Sequence, residues 1–214
     1  MAFEIEVKTS AFTGATFCID KNCLRWKEKE ILIKNITGFG YMQTQTRVNG
    51  INASKTFEIN IWEGGEDKKT TLRFMGAFGG GEANDKYLTV TDQLWHYFGD
   101  DLLNQMHQDL LNGKVYEELG HIKLIPAGIV VRRKPLFKPA YELLINWHDI
   151  NISTFQGNMT IKSKTNKKAY AYAGFISKNV WLLYNYIGWL ANNPDIIRAL
   201  QAVPCTYKLI EKTK

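Results

Sequence analysis

The sequence predicts a mainly β fold with α-helices, arranged as two small units of short antiparallel strands, each a bent barrel or sandwich closed by its own helix. Three observations carry this. Residues 91–113 place Leu94, Trp95, Phe98, Leu102, Met106 and Leu110 at spacings of three and four, which puts them on one helical face that needs a sheet to cover. A second helix of the same kind is predicted over residues 177–192, again after a set of strands. The apolar positions of the two halves also run in parallel. Phe17, Ile19, Leu24 and Trp26 are followed 105 residues later by Ile122, Leu124, Ile129 and Val131. Ile31, Ile33 and Ile36 match Ile145, Trp147 and Ile150 at 114, Phe57 and Ile59 match Met159 and Ile161 at 102, and Trp95 and Phe98 match Trp181 and Tyr184 at 86. Offsets that change between blocks fit turns that vary in length while strand faces are kept.

In chain order, residues 3–8 alternate apolar and charged side chains as a half-buried edge strand does. Residues 16–26 read as a hairpin turning at Asp20-Lys21-Asn22. Residues 31–41 contain Gly38 and Gly40, which suggest a bulge or sharp bend. Residues 42–55 are polar and read as an extended loop with a turn at Asn49-Gly50. Residues 56–62 alternate with Phe57, Ile59 and Ile61 inward, and the run from Glu63 to Asp67 turns the chain into residues 70–74. Thr91 is expected to cap the first helix, with Asp92 in its first turn, Gly99 weakening its middle and Asn112-Gly113 stopping it. In the second half a turn at Pro126-Ala127-Gly128 joins two strands. A lysine-rich hairpin turns at Thr165-Asn166, and its return strand alternates Ala169, Tyr170, Ala171, Tyr172 and Ala173. After Pro194 a short helix over 196–202 and a final strand over 206–210 are expected. The predicted domains are residues 1–113 and 114–200, followed by a tail over 201–214.

The 214 residues, 45% of them hydrophobic, suffice for one good core or two small ones of roughly 100 residues each. No apolar run reaches the roughly 18–20 residues of a membrane span, and the first residues lack the basic start and apolar block of a signal peptide. A cytoplasmic protein is expected, peripheral at a membrane if its loops engage one. Cys18, Cys23 and Cys205 are an odd, dispersed set and read as free thiols. Charge is uneven: residues 1–113 hold 12 Lys and Arg against 15 Asp and Glu, a balance of −3, whereas residues 114–214 hold 15 against 6, a balance of +9. A positive second half draws anionic membranes, acidic proteins or nucleic acid.

The stretch Leu-Ile-Asn-Trp-His-Asp-Ile at 144–150, the Gly157-Asn158 turn, the Met159-to-Ser163 strand, the Lys167-Lys168 strand and the helix opening at Ser177 resemble the bacterial pleckstrin-homology-like domain family. The first half resembles it less closely, departing from the pattern with Ile33 and Asn35 where the tryptophan motif would sit and with an extended 42–55 loop. The resemblance implies a seven-stranded, strongly bent antiparallel barrel plugged by a C-terminal helix, used twice. It also implies a binding module rather than an enzyme, since such folds host lipid, peptide and self-association sites.

No catalytic set emerges. His96, His107, His121 and His148 show no metal-binding spacing, no cofactor motif is present, and His148-Asp149 is read as a rim histidine beside a turn-forming aspartate. Gly79-Gly80-Gly81 is read as a loop before the helix, not a phosphate cradle. The candidate anion-binding residues are Arg132, Arg133, Lys134 and Lys138, on a proline-stiffened loop with Leu136 and Phe137, and Lys162, Lys164, Lys167 and Lys168 on the second hairpin. The first group suits lipid headgroups, with Leu136-Phe137 dipping into the interface, or equally a solvated loop whose apolar pair packs under the rim. The second, with Tyr170 and Tyr172, suits base stacking or protection of a sheet edge. On the closing helix, Val180, Tyr184, Ile187 and Ala191 form the stripe expected to plug the barrel. Leu182, Tyr186 and Trp189 form a second stripe, the candidate contact with the first unit or another copy. The function expected is a non-enzymatic module that binds an anionic partner, a lipid headgroup or an acidic protein. The alternatives are a scaffold that assembles through the aromatic stripe and, third, a nucleic-acid binder.

Overall fold

The computed structural model describes residues 2–9, 13–49, 51–64, 68–77, 81–119, 121–136 and 139–211. It divides into two compact units: Met1–Leu102 with Ile176–Lys178, and Leu103–Phe175 with Asn179–Lys214. The division falls inside the first helix, ahead of the Gly113 boundary drawn from sequence, so the last turns of that helix count with unit 2.

Unit 1 builds a four-stranded sheet from β1 (Phe3–Lys8), β2 (Gly14–Ile19), β3 (Cys23–Trp26) and β4 (Lys29–Leu32). A short 3-10 turn leads to a three-stranded sheet of β5 (Ile36–Val48), β6 (Ile51–Glu63) and β7 (Lys69–Ala77). Unit 2 has the same order. β8 (Tyr116–Leu119), β9 (Ile122–Ile125), β10 (Gly128–Arg133) and β11 (Tyr141–Asn146) form four strands, and after a 3-10 turn β12 (Ile150–Phe155), β13 (Asn158–Ser163) and β14 (Tyr170–Gly174) form three. All pairings are antiparallel. The closed barrel expected from sequence is not formed: each unit holds two separate sheets facing a shared interior.

The residues that share an offset in sequence also share a register. Phe17 lies opposite Trp26, and Ile122 opposite Val131; Ile19 lies opposite Leu24, and Leu124 opposite Ile129. Leu24 faces Ile31 as Ile129 faces Ile145. Alternation sends these side chains inward, where Phe17, Ile19, Leu24, Phe57, Ile59 and Leu72 are fully buried in unit 1. In unit 2, Ile122, Leu124, Ile129, Val131, Ile145, Met159 and Ile161 do the same, joined by Met106 and Leu110 of the first helix.

Several expectations change at the level of elements. The polar 42–55 segment is a long ribbon, β5 and β6 continuing to a turn at Asn49, whose φ is 51°; Gly50 lies outside the described residues. A ribbon with both faces in water needs no apolar alternation, so the pattern did not announce it. Gly38 sits beside a register shift, the expected bulge. Residues 65–67 of the next turn lie outside the described residues.

The first helix begins ten residues earlier than its apparent cap. It runs as α1 (Gly81–Leu94), a π-helical turn (Trp95–Gly99) and α2 (Asp100–Leu111). Thr91 is interior, its hydroxyl donating to the Leu88 carbonyl at 2.8 Å. Gly99 lies in the π turn, where a Cβ would come within 2.5 Å of the Trp95 ring. The stop at Gly113 is as expected. Gly113 has φ +74°, its N–H donates to Leu110, and Lys114 N–H donates to Asp109, the paired bonds of a Schellman ending.

The second helix is α3 (Val180–Ala191), followed by α4 (Pro194–Gln201). The stripe facing the unit 2 interior is Val180, Leu183, Tyr186, Ile187 and Leu190. Tyr184 and Ala191, expected in the plug, are at the surface. The tail forms no strand over 206–210 but is held to β11: Glu142 N–H donates to the Ile210 carbonyl at 2.8 Å, and the Tyr207 hydroxyl donates to the Glu142 carboxylate at 2.7 Å.

Candidate functional site

The basic residues of unit 2 are divided by the strand pleat. Arg132 and Arg133 are neighbours at the end of β10 and so point to opposite faces. Arg133 continues the inward row of Ile129 and Val131 past the end of the core. There its guanidinium lies 3.7 Å from the centroid of the Tyr170 ring, and one N–H reaches the Tyr170 carbonyl at 3.4 Å. Such stacking contributes about 0.5–2 kcal/mol and fixes the cation without neutralising it. Arg132 is exposed on the other face, opposite Glu142.

The alternation over residues 169–173 is as the sequence implies. Ala169, Ala171 and Ala173 are buried, Tyr172 is 57% exposed, and the Tyr170 and Tyr172 rings are 5.4 Å apart. Lys162 lies directly across from Tyr170, and Thr160 across from Tyr172. Arg133, Tyr170, Lys162 and Tyr172 therefore form one basic and aromatic face. Arg133 covers one side of Tyr170, which leaves Tyr172 as the more open ring for stacking.

The loop after β10 carries the exposed Lys134 and Leu136, the latter 80% exposed. Packing of Leu136 under the rim is thereby excluded. Phe137 and Lys138 lie outside the described residues.

The remaining lysines sit at the β13–β14 turn, which Asp149 organises. Its carboxylate accepts from the Ser163 hydroxyl, from Thr165 Oγ1 at 3.0 Å and from Thr165 N–H at 3.0 Å, while its carbonyl accepts from Lys164 N–H at 2.9 Å. The Ser163 hydrogen bond, followed by those from Thr165, holds the Asp149 carboxyl below its usual pKa. Lys164 Nζ donates to the His148 carbonyl at 3.0 Å, and Lys167 and Lys168 are exposed on the turn. His148 and Asp149 are in a 3-10 turn, not on a strand, and the aspartate is fully engaged in shaping the loop.

On α3, Leu182 and Tyr186 are fully buried and Trp189 is 38% exposed, so the three do not form one open stripe. Tyr186 belongs to the unit 2 interior because His107 meets it there: His107 Nδ1 and the Tyr186 hydroxyl are 2.9 Å apart, and Trp189 packs edge-on to the His107 ring at 5.1 Å. Burial lowers the His107 pKa and raises that of Tyr186. No sequence spacing joins residues 79 positions apart, which is why this pair was not foreseen.

Among the described residues no group of three His, Cys, Asp or Glu side chains could hold a metal ion. Of the glycine run, residues 79 and 80 lie outside the described residues. Gly81 opens α1, with Glu82 in the first turn, its carboxylate paired with Lys86 at 2.8 Å.

No family model, curated protein or solved structure matches the chain. Among the described residues no helix is long and apolar enough to cross a membrane. The site is thus read from its own geometry.

A second feature, missed in the sequence, is a groove of about 530 Å³ between β12 and α3, lined by Ile152, Thr154, Tyr184, Asn185, Gly188 and Trp189 among others. The signal available beforehand was Gly188, a glycine in mid-helix with no capping role.

Proposed function

We propose that the chain is a non-enzymatic binding module of two pleckstrin-homology-like units. The second presents its basic and aromatic edge to the headgroups of an anionic membrane. The observation that carries this reading is Leu136, which stands 80% exposed after the run Arg132-Arg133-Lys134-Pro135. A solvated loop does not require a leucine held out this far. A membrane-engaging loop does, because the cations meet phosphates while the side chain enters the acyl boundary. Arg133, fixed on Tyr170, and the exposed Lys162 across from that residue add positive charge to the same edge.

Each cation near an anionic surface contributes about 1 kcal/mol. Replacing Arg132, Arg133 and Lys134 together by glutamine is expected to weaken binding to phosphatidylserine vesicles about a hundredfold. Leu136→Ser should weaken it at every salt concentration, since the apolar contribution is not screened. Vesicle sedimentation reads both. Absence of binding to anionic vesicles at low salt removes the reading.

A further inference from the structure

The outer face of the β12–β13–β14 sheet carries more aromatic and basic surface than a solvated face requires. Alternation turns Ile152, Met159, Ile161 and Ala171 towards the interior and leaves every second residue outside. The register sets the outward residues abreast: Asn151, Lys162 and Tyr170 in one row, Ser153, Thr160 and Tyr172 in the next. The following row begins with Phe155 opposite Asn158. Phe155 is 74% exposed and Tyr172 57% exposed. No Asp or Glu stands among these positions. Arg133 joins the first row from β10, stacked on the Tyr170 ring.

Unit 1 shows that the fold does not impose such a face. At the 102-residue offset, Glu58 stands where Thr160 stands and Asn60 where Lys162 stands; across from them, Arg73 takes the place of Tyr172 and Thr71 that of Tyr170. There the outward side chains serve one another. Arg73 pairs with the Glu58 carboxylate at 2.9 Å, and the Thr71 hydroxyl donates to the Asn60 side-chain oxygen at 2.7 Å. In unit 2 the same four positions hold one threonine, one lysine and two tyrosines, none of them able to neutralise the cation. The face is neutral and internally paired in one unit, basic and aromatic in the other.

We infer that this sheet face binds single-stranded nucleic acid, with bases stacked on Tyr172 and Phe155 and backbone phosphates beside Lys162 and Arg133. Charge alone would suit any anion. The exposed rings select an anion that carries a planar group at each charged repeat, and they accept any base because every base has a π face. Phe155 and Tyr172 are two strands apart, about 10 Å across the sheet, so they receive different nucleotides. The Arg133 guanidinium, held over Tyr170, adds a plane of its own on which a base can stack. A duplex keeps its bases within the helix, where these rings do not reach. Residues 114–214, with 15 Lys and Arg against 6 Asp and Glu, supply the attracting field.

The test uses the full chain and fluorescent oligonucleotides of about 12 nucleotides, followed by anisotropy at low salt. Oligouridylate and oligothymidylate are expected to bind, and a blunt duplex of the same length to bind at least about tenfold more weakly. Tighter binding of the uridylate assigns RNA, and of the thymidylate DNA. Tyr172→Ala and Phe155→Ala should each weaken single-strand binding about tenfold, whereas Tyr172→Phe should retain it. Both side chains are exposed, so the variants should melt with the parent. Lys162→Gln should lower the slope of log affinity against log salt by about 0.7. Phe155→Ala should sediment with anionic vesicles as the parent does, and Leu136→Ser should bind oligonucleotide as the parent does, so the two sites stand or fall separately. Equal affinity for the duplex, competition by polyglutamate as strong as by oligouridylate, or absence of binding at low salt overturns the inference. So does a folded chain with both Tyr172→Ala and Phe155→Ala that binds as the parent, or loss of binding in Leu136→Ser alone, which would place the strand on the loop.

Discussion

Two glycines of unit 2 make opposite demands. Gly128 has φ +155°, and a Cβ there would fall 2.2 Å from the Ile145 carbonyl oxygen, a backbone atom with no freedom to retreat. Gly128→Ala should destabilise the chain by about 1–3 kcal/mol, read as a lower urea midpoint. Gly188→Ala meets open space and should stabilise by about 0.5–1 kcal/mol. Equal effects in the two variants would contradict the backbone account. The His107–Tyr186 contact yields a pH prediction with a definite sign. Burial depresses the folded pKa of His107 below the ordinary 6.5, so as pH falls through 6.5 the unfolded chain takes up the proton first. Stability should therefore decline below pH 6.5 and level off beneath the folded pKa. His107→Gln, which retains a hydrogen-bonding group without titrating, should flatten that part of a thermal-melt series against pH. Most of the inward residues were legible, because Phe17, Ile19, Leu124 and Ile161 alternate in short strands with turn residues between them. The His107–Tyr186 pair was not, since nothing local ties a helix residue to one 79 positions on.

At the scale of elements, local signals located strands better than they located the first helix. Thr91-Asp92 has the chemistry of a cap, yet Tyr87, Val90 and Leu94 carry the same three-and-four spacing back through it, and all three are buried. Tertiary packing overrode the capping residue, and the backward extension of the apolar row was the better guide. The π turn at Trp95–Gly99 then follows from packing: the Trp95 ring occupies the volume a Cβ on Gly99 would claim, and it packs edge-on to Phe39 at 5.1 Å. Gly99→Ala should push that ring out of place and destabilise by about 1–3 kcal/mol, with a change in near-ultraviolet circular dichroism from the displaced indole. An unchanged spectrum would mean the ring has another place to go. In α3 apolar residues are too many for their spacing alone to choose between faces. Tyr184 was placed inside and Tyr186 outside; the structure reverses them because His107 provides a polar partner for the Tyr186 hydroxyl in the interior.

For the whole molecule, the decisive point is where one compact unit hands over to the other. Charge and the Gly113 stop both suggested a boundary after the first helix, but Met106 and Leu110, on that helix, are fully buried among the unit 2 residues. Helix periodicity identifies an apolar face without saying which sheet covers it, and here the face is divided, Leu94 and Phe98 counting with unit 1 and Met106 and Leu110 with unit 2. A fragment of residues 114–214 would therefore lack two core side chains, each worth about 2–5 kcal/mol when deleted, against a total stability of about 5–15 kcal/mol. A fragment of residues 103–214 keeps both, along with the Schellman ending at Gly113. In that ending, a Cβ on Gly113 would fall 2.6 Å from the Pro204 carbonyl of the tail. The longer fragment should melt at a clearly higher temperature than the shorter one, and the shorter one should show a broad transition and bind hydrophobic dyes. Indistinguishable melts would place Met106 and Leu110 outside the cooperative core and return the boundary to Gly113.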